Sequence, residues 1–333
     1  MVKTGIVGLG YWGPNLLRNI YANRRNGGLV ICDSNAARLN KMAQHYPDIQ
    51  STREYQDLIN NDDLNAIVIA TDVSSHFPLA KQALLAGKHV FVEKPFASCI
   101  EEAEELVDLG KKNGLVTMVG HTFMFSPPVI KTKEIIDSGD LGDIHFITSS
   151  RVNLGLHQKD VSVIWDLAPH DFSMLFYWLD EEPTEVNAFG HAYVLDDIPD
   201  VAFIDLAFPS GSIANVQVSW LSPSKLRRTV IVGSRKMLVY DDTEPLEKIK
   251  IYDKGVEVIE PESFGEYQLS YRTGDIVSPK LDAGEPLASE MEEFLRCIET
   301  GSTPKSSGAE GLAVVRALEL ADDSLRKASI RKE

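Results

Sequence analysis

The sequence is poor in cysteine, in positive charge and in long apolar runs, and each shortage excludes a class of protein. Only three cysteines occur in 333 residues, at Cys32, Cys99 and Cys297. They are too few and too widely spaced for a disulfide framework or a zinc knuckle. No stretch approaches the roughly 20 apolar residues that a membrane span requires, and the N-terminus lacks the features of a secretion signal. We therefore expect a cytoplasmic protein with reduced thiols.

Acidic residues outnumber basic ones by 49 to 33, which gives a formal net charge of −16. Because binding to nucleic acid needs a basic face, this balance disfavours nucleic acid as a partner. The chain also lacks HExxH, CxxC and any other set of His, Cys and Glu at metal-ligand spacing, so we predict no metal. Its length is sufficient for two domains with a sizeable core.

The most informative motif is Gly8-x-Gly10-x-x-Gly13, which follows an apolar strand over residues 2–7 and precedes a helical pattern. The first glycine permits a tight turn, the second lets the backbone approach a pyrophosphate, and the third brings the helix close to the strand. A second apolar strand ends in Asp33, at the spacing where an acid meets a ribose hydroxyl. The pattern predicts a dinucleotide site, and its alternative is an ordinary strand–turn–helix.

The chain changes character near residue 122. Strands and helices alternate before it, which predicts a doubly wound parallel sheet, that is, an α/β Rossmann fold. Consecutive strands follow it, which predicts an α+β domain with a large, mostly antiparallel open sheet. We expect a cofactor domain over 1–121, a substrate and oligomerisation domain over 122–287, and helices over 288–333 that pack back on the body. The stretch 253–285 is polar and is expected to be irregular.

Candidate chemical groups follow the strands of the first domain, namely Thr71 and His76, then Glu93-Lys94-Pro95, then His121. A lysine at a strand end that faces a cleft is a fixed positive charge, or a proton donor if burial lowers its pKa. The alternative interpretation of Lys94 is a surface lysine in a turn.

A second constellation is Asp166 with His170, four residues apart. If Asp166 is the N-cap of a helix over 169–179, Pro169 falls in the first turn and the two side chains lie one turn apart on the same side. A carboxylate beside an imidazole orients the ring as a general base for an alcohol proton. The alternative is that Asp166 only caps the helix and His170 only packs.

Taken together, these motifs resemble the glucose–fructose oxidoreductase/inositol dehydrogenase/MocA family over nearly the whole chain. The resemblance implies that Lys94 lies by the nicotinamide, that His170 is the acid/base and that Asp166 supports it. Which of Lys94 and His170 is the primary base stays open. It also implies a cis Lys94–Pro95 peptide and dimers or tetramers formed through the C-terminal sheet. The implied cofactor contacts are Gly8, Gly10, Tyr11, Trp12, Gly13, Asp33, Ser34, Arg38, Thr71, His76, Glu93, Lys94 and His121.

Within the family, the chain looks most like NAD-dependent enzymes that oxidise the 3-hydroxyl of UDP-N-acetylglucosaminuronate for surface polysaccharides. Asp33 favours NAD, although Arg38 could accept the 2′-phosphate of NADP. The alternatives are an NADPH-dependent 3-ketosugar reductase, an inositol or polyol dehydrogenase, an enzyme of redox-assisted glycoside cleavage and a non-catalytic NAD(P)-sensing regulator. The candidates for substrate contact are Arg151, Asn153, Trp165 and Arg272, and also Lys225, Arg227 and Arg228, which otherwise form a solvated charge run.

Overall fold

The structure is a computed structural model that describes residues 1–155, 157, 161–259 and 268–330. The chain divides into two compact units. The first comprises residues 1–126 and 284–319, and the second comprises residues 127–283 and 320–333. Among the described residues, no helix is both long and apolar enough to cross a membrane.

The helices begin and end where local signals allow. Leu16, Leu17 and Ile20 form the buried face of the first helix, and Gly114, in the left-handed conformation, ends the fifth. In chain order the helices are α1 Gly13–Tyr21, α2 Ala36–His45, α3 Tyr55–Ile59, α4 Val73–Leu85, α5 Ile100–Asn113, α6 Pro127–Asp137, α7 Val163–Leu179, α8 Pro286–Thr300 and α9 Gly308–Ile330, with a 3₁₀ turn over Thr122–Phe125 between α5 and α6.

The first unit is built on a six-stranded parallel sheet with strand order β3-β2-β1-β4-β5-β6. All four residues of the fourth strand are buried, as expected for a strand that is covered on both faces. The predicted doubly wound sheet is confirmed. Its strands are β1 Val2–Val7, β2 Asn26–Cys32, β3 Gln50–Thr52, β4 Ala66–Ile69, β5 His89–Glu93 and β6 Thr117–Gly120.

The second unit is built on an eight-stranded sheet with order β14-β13-β12-β11-β7-β10-β9-β8. Only the β7–β10 pair is parallel among the described pairs, so the predicted mostly antiparallel sheet is confirmed. Alternate residues are buried in the strands between residues 144 and 241, whereas nearly all described side chains of the two later strands are half-buried or exposed. The strands are β7 Ile144–Val152, β8 Glu185–His191, β9 Val201–Ala207, β10 Ile213–Ser219, β11 Leu226–Gly233, β12 Met237–Asp241, β13 Ile249–Ile259 and β14 Gln268–Val277.

The prediction that 253–285 is irregular is wrong for most of that stretch. Residues 253–259 complete β13 and residues 268–277 form β14, which pair antiparallel with Val256 opposite Tyr271. The two strands lie at the edge of the sheet. There the exposed polar side chains hide the apolar alternation that marks a half-buried strand. Residues 260–267 lie outside the described residues.

Helix α7 begins at Val163, whereas the sequence predicts a start at residue 169. Ser162 is its N-cap, and the N–H of Asp166 donates to the Ser162 carbonyl at 3.1 Å. Asp166 as the N-cap is therefore wrong, since it lies in the first turn, and Pro169 lies inside the helix. The apolar residues Val163 and Ile164 are fully buried and start the helix before the proline.

Candidate functional site

The glycine-rich loop joins β1 to α1, and its outer glycines are in close contact with backbone. Gly8 has φ +92°, and a Cβ there would lie 2.5 Å from the Ala70 carbonyl oxygen. A Cβ on Gly13 would lie 2.0 Å from the Gly8 carbonyl oxygen. At Gly10, in contrast, the nearest atom to a Cβ is Nη1 of Arg38 at 3.9 Å. The structure itself requires Gly8 and Gly13, whereas the space beside Gly10 is open to a ligand.

Asp33 connects the end of β2 to this loop. Its Oδ2 accepts the Leu9 N–H at 2.7 Å, and its Oδ1 accepts the Asn35 N–H at 2.8 Å. Each carboxylate oxygen can accept a second hydrogen bond, so the group can still bind a hydroxyl. Nη1 of the half-exposed Arg38 lies 3.5 Å from Oδ2. The predicted ribose acid and the predicted basic neighbour therefore lie together.

The other loop residues differ in exposure. Tyr11 is 92% exposed and stacks on Trp12, with ring centroids 6.1 Å apart. Ser34 is exposed, and its carbonyl accepts two N–H groups of Arg53. The Thr71 hydroxyl accepts the Ser75 hydroxyl at 2.6 Å.

Lys94 follows β5 directly and forms the predicted cis peptide with Pro95. Burial is the main influence on the pKa values of three nearby side chains, and the Lys94 charge modifies each of them: it adds to the lowering at His76 and His121 and partly offsets the raising at Glu93. His76 is buried between loops, with Nδ1 2.8 Å from the Pro95 carbonyl and Nε2 3.0 Å from the Thr71 carbonyl. Burial lowers the pKa of His76, so the ring is neutral and donates its single N–H to one of these two carbonyls. The ring lies between the Thr71 loop and the Lys94 loop, and its contact with a cofactor stays a prediction.

Glu93 and His121 are buried next to Lys94. Burial raises the pKa of Glu93 to about 8, while the Lys94 charge, the Lys94 N–H and a hydrogen bond from Trp12 act in the opposite direction. Burial and the Lys94 charge lower the pKa of His121 to about 3, so this ring is neutral. Within the described residues, three polar atoms here have no hydrogen-bond partner: the two ring nitrogens of His121 and Oε1 of Glu93.

The sequence analysis missed a further acid, Glu290 of α8. It is completely buried, and its Oε2 accepts the Thr122 hydroxyl at 2.7 Å. Burial and the charge of Glu93 raise its pKa well above the usual value. The signal that could have found it is a carboxyl group on the apolar stripe of a helix, between Leu287 and Phe294.

In the second unit, α7 presents Asp166 and His170 one turn apart. Oδ2 of Asp166 accepts the indole N–H of the buried Trp220 at 3.1 Å. Asp166 therefore has a partner that fixes its carboxylate. The half-buried His170 accepts the Ser173 hydroxyl through its backbone carbonyl at 3.0 Å.

The substrate candidates of the second unit do not lie together as a group of free polar side chains. Arg151 is buried and pairs with Asp171, with Nε to Oδ2 at 2.6 Å. Because Arg151 on β7 faces α7, this carboxylate already offsets part of its charge, and a contact with an anionic substrate stays a prediction. The Trp165 indole N–H donates to Asp322 at 2.6 Å, and Nε of Arg272 pairs with Asp253 at 2.9 Å on the edge hairpin.

The remaining basic and polar candidates lie on strands or directly next to them. Arg227 pairs with Asp242 at 3.3 Å, whereas Lys225 and Arg228 are exposed. The backbone of Asn153 extends the sheet, since its N–H donates to the Ser219 carbonyl at 3.1 Å. The predicted charge run lies at the beginning of β11, and Arg227 and Arg228 belong to the strand.

Comparisons with known proteins agree with this geometry. Residues 2–121 match the model of the oxidoreductase family with an NAD-binding Rossmann fold, and residues 129–239 match the C-terminal domain of the same GFO/IDH/MocA family. The chain is 30% identical to the uncharacterized oxidoreductase YrbE of Bacillus subtilis, over 73% of this chain and 75% of YrbE. It is 26% identical to the UDP-N-acetylglucosamine 3-dehydrogenase of Acidithiobacillus ferrooxidans, over 95% of both chains.

The fold comparison extends over almost the full length. A crystal structure of that dehydrogenase, GnnA, has a TM-score of 0.79 at 24% identity and covers 97% of each chain. At this identity the likeness shows the fold. The two family matches and the relatives, together with the glycine loop and the Lys94 environment, identify the class of enzyme. The chain belongs to the glucose–fructose oxidoreductase/inositol dehydrogenase/MocA family and is an NAD(P)-dependent dehydrogenase.

Proposed function

We propose that the protein oxidises the 3-hydroxyl of a nucleotide-linked sugar of the UDP-N-acetylglucosaminuronate type with NAD, in surface polysaccharide biosynthesis. The observation that carries the proposal is Lys94, a cation beside three buried ionisable groups at the end of β5, in the unit that holds the glycine loop. A relative named as a UDP-N-acetylglucosamine 3-dehydrogenase that matches over 95% of both chains supports the nucleotide-sugar class.

The residues of the first unit fit a dinucleotide. The open space beside Gly10 leaves room for a pyrophosphate, and Asp33 retains acceptor capacity for a ribose hydroxyl. A phosphate on that ribose would face the Asp33 carboxylate, which favours NAD over NADP by like-charge repulsion. Arg38 already lies 3.5 Å from Asp33, so its charge is partly compensated there. When bound, the cofactor accepts a hydride from the sugar carbon.

Each catalytic side chain has a proposed role. The Lys94 ammonium stabilises the negative charge that develops on the sugar oxygen, an electrostatic effect that is strong where water is excluded. His170 takes the hydroxyl proton, and Asp166, fixed by Trp220, holds the ring in orientation. In the alternative mechanism, Lys94 is an uncharged amine and takes the hydroxyl proton first, and kinetics of the Lys94 variants distinguishes the two.

The test is the appearance of reduced nicotinamide absorbance with a panel of alcohols and both cofactors, with hydroxylamine present to trap the ketone. We expect turnover with UDP-N-acetylglucosaminuronate, and a kcat/KM for NAD at least about 10-fold above that for NADP. Turnover only with myo-inositol or another free polyol would reject the nucleotide-sugar assignment. Preferential reduction of 3-ketosugars by NADPH would instead support the reductase alternative.

The sheet of the second unit exposes apolar side chains that lie next to one another. Phe189 is opposite Phe203 on neighbouring strands, and Phe146 is opposite Ile213. All four side chains are more than 40% exposed, and exposed apolar patches mark interaction surfaces. We propose that this face forms a homodimer or homotetramer. Sedimentation velocity should show an oligomer that Phe203→Asp converts to monomer, and a monomeric wild type would contradict the proposal.

A further inference from the structure

The groups behind Lys94 form a buried acid pair that the proposed chemistry does not use. Glu93 ends β5 and Glu290 lies on α8, and both side chains are more than nine-tenths buried. Oε1 of each has no hydrogen-bond partner in the described part of the chain. A buried polar atom without a hydrogen bond lowers the stability of the folded protein, so its presence calls for an explanation.

The surroundings of the pair limit how much negative charge it can hold. Lys94 acts on Glu93, and Glu93 in turn acts on Glu290, while the neutral His121 is affected by the same lysine. Cations on and near α8 pair with other carboxylates: Arg18 with Glu285, the N-cap of α8, Arg25 with Glu292 and Glu299, Arg296 with Glu293, and the N-terminal amine with Glu299. Lys94 is therefore the one cation that acts on Glu93 among the described residues.

The contacts of Glu93 connect the pair to the cofactor loop. Trp12, the residue before Gly13, donates a hydrogen bond to Glu93. On the other side, Gly120 is so close that a Cβ there would lie 3.0 Å from Oε2 of Glu93. A carboxyl group held in this position responds to any new charge that arrives at the strand ends.

We propose that the Glu93–Glu290 pair senses the charge of the cofactor. The pair releases a proton to solvent when the positively charged oxidised nicotinamide binds, and it keeps that proton when the neutral reduced form binds. Glu93 is the member that ionises, and Glu290 remains a neutral acid. This inference rests on the proposed function in one respect, that the nicotinamide binds near Lys94.

The sign of the pH dependence follows from the direction of the shift. Burial raises the pKa of Glu93 to about 8 in the protein without cofactor, and a second nearby cation lowers it. The form without the proton therefore binds oxidised cofactor more tightly. Affinity for NAD⁺ should rise by about 10-fold between pH 6.5 and pH 9 if the bound pKa is about one unit lower. Affinity for NADH should stay nearly constant over that range.

The experiment is titration calorimetry of NAD⁺ and NADH at pH 7.5 in two buffers with different ionisation enthalpies, which counts released protons. We expect proton release with NAD⁺ and little with NADH. Glu93→Gln should abolish this difference, whereas Glu290→Gln should preserve it. The matched control is Glu292→Gln, a half-exposed position on the same helix whose carboxylate pairs with Arg25, and it should leave both values unchanged. Equal proton release by both cofactors would overturn the inference, and absence of any NAD(H) binding would instead reject the proposed function.

A stability measurement tests the neutral state of Glu290 without any cofactor. The unfolded carboxyl ionises near pH 4.3, but the folded one keeps its proton to much higher pH, so its contribution to stability falls as pH rises above that value. Glu290→Gln should therefore raise Tm at pH 7.5 by about 2 °C or more and leave it nearly unchanged at pH 4.5. If the Tm difference between the variant and the wild type were smaller at pH 7.5 than at pH 4.5, this would contradict a neutral Glu290. If the variant does not fold, a protonated-carboxyl infrared band in the wild type at pH 7.5 decides the point, and its absence overturns the inference.

Discussion

Replacing Lys94 with alanine should reduce kcat by about 10³-fold while the dissociation constant for NAD changes by less than about threefold. In the proposed mechanism, Lys94 supplies the positive charge near the reacting oxygen, whereas the glycine loop and Asp33 are proposed to hold the cofactor, so the loss should appear in kcat and not in cofactor binding. Steady-state kinetics gives kcat, and quenching of tryptophan fluorescence gives the NAD dissociation constant. Near-normal turnover in this variant would reject Lys94 as the catalytic cation.

Two further variants make the result specific. Lys81→Ala removes an exposed lysine of α4 that pairs with Glu105, and it should behave as wild type because an exposed pair contributes little. Lys94→Arg keeps the charge but not the shape or the readily shifted pKa of a lysine. Substantial activity in the arginine variant would assign Lys94 an electrostatic role, and its loss would favour proton transfer by the lysine.

Alanine at Gly13 should destabilise the protein without cofactor, whereas alanine at Gly10 should not. The Gly13 Cβ would lie 2.0 Å from a backbone oxygen that cannot move aside, so Gly13→Ala should destabilise the folded state by at least about 3 kcal/mol. Gly10→Ala meets nothing closer than 3.9 Å, so its Tm should match that of wild type. Thermal unfolding of both variants measures the difference.

The same pair then reports on the cofactor. If the pyrophosphate occupies the space beside Gly10, the added methyl group should weaken NAD binding by about 10-fold or more in a protein of unchanged stability. Unchanged affinity in Gly10→Ala would show that the cofactor backbone lies elsewhere. A wild-type Tm for Gly13→Ala would show that the contact with the Gly8 carbonyl is looser than the structure indicates.

The sequence predicts the parts of this protein that depend on short-range rules. Gly8, Gly13 and Asp33 lie as the fingerprint requires, because a tight turn between a buried strand and a helix leaves few alternatives. The apolar run of β4 indicates a parallel strand, because a strand that is covered on both faces buries every side chain.

The sequence does not reveal features that depend on partners distant along the chain. Strand alternation in β7 turns Arg151 towards Asp171, and no local pattern predicts this pairing. Glu290 lies nearly 200 residues after Glu93 in the chain, so no local motif predicts that the two carboxyl groups interact. The predicted beginning of α7 is wrong because proline is typical of a first helical turn. In the structure, the buried side chains of Val163 and Ile164 extend the helix on the N-terminal side of Pro169.

The central claim is direct hydride transfer from the sugar carbon to NAD, and isotope transfer tests it most directly. The substrate is UDP-N-acetylglucosaminuronate with deuterium at C3, and the readout is the mass of the nicotinamide cofactor after incubation with wild type and with Lys94→Ala. The account predicts one deuterium in each reduced cofactor molecule, formed by the wild type at least about 10³-fold faster than by the variant. Reduced cofactor without deuterium, or none at all from a protein that binds NAD, would contradict it.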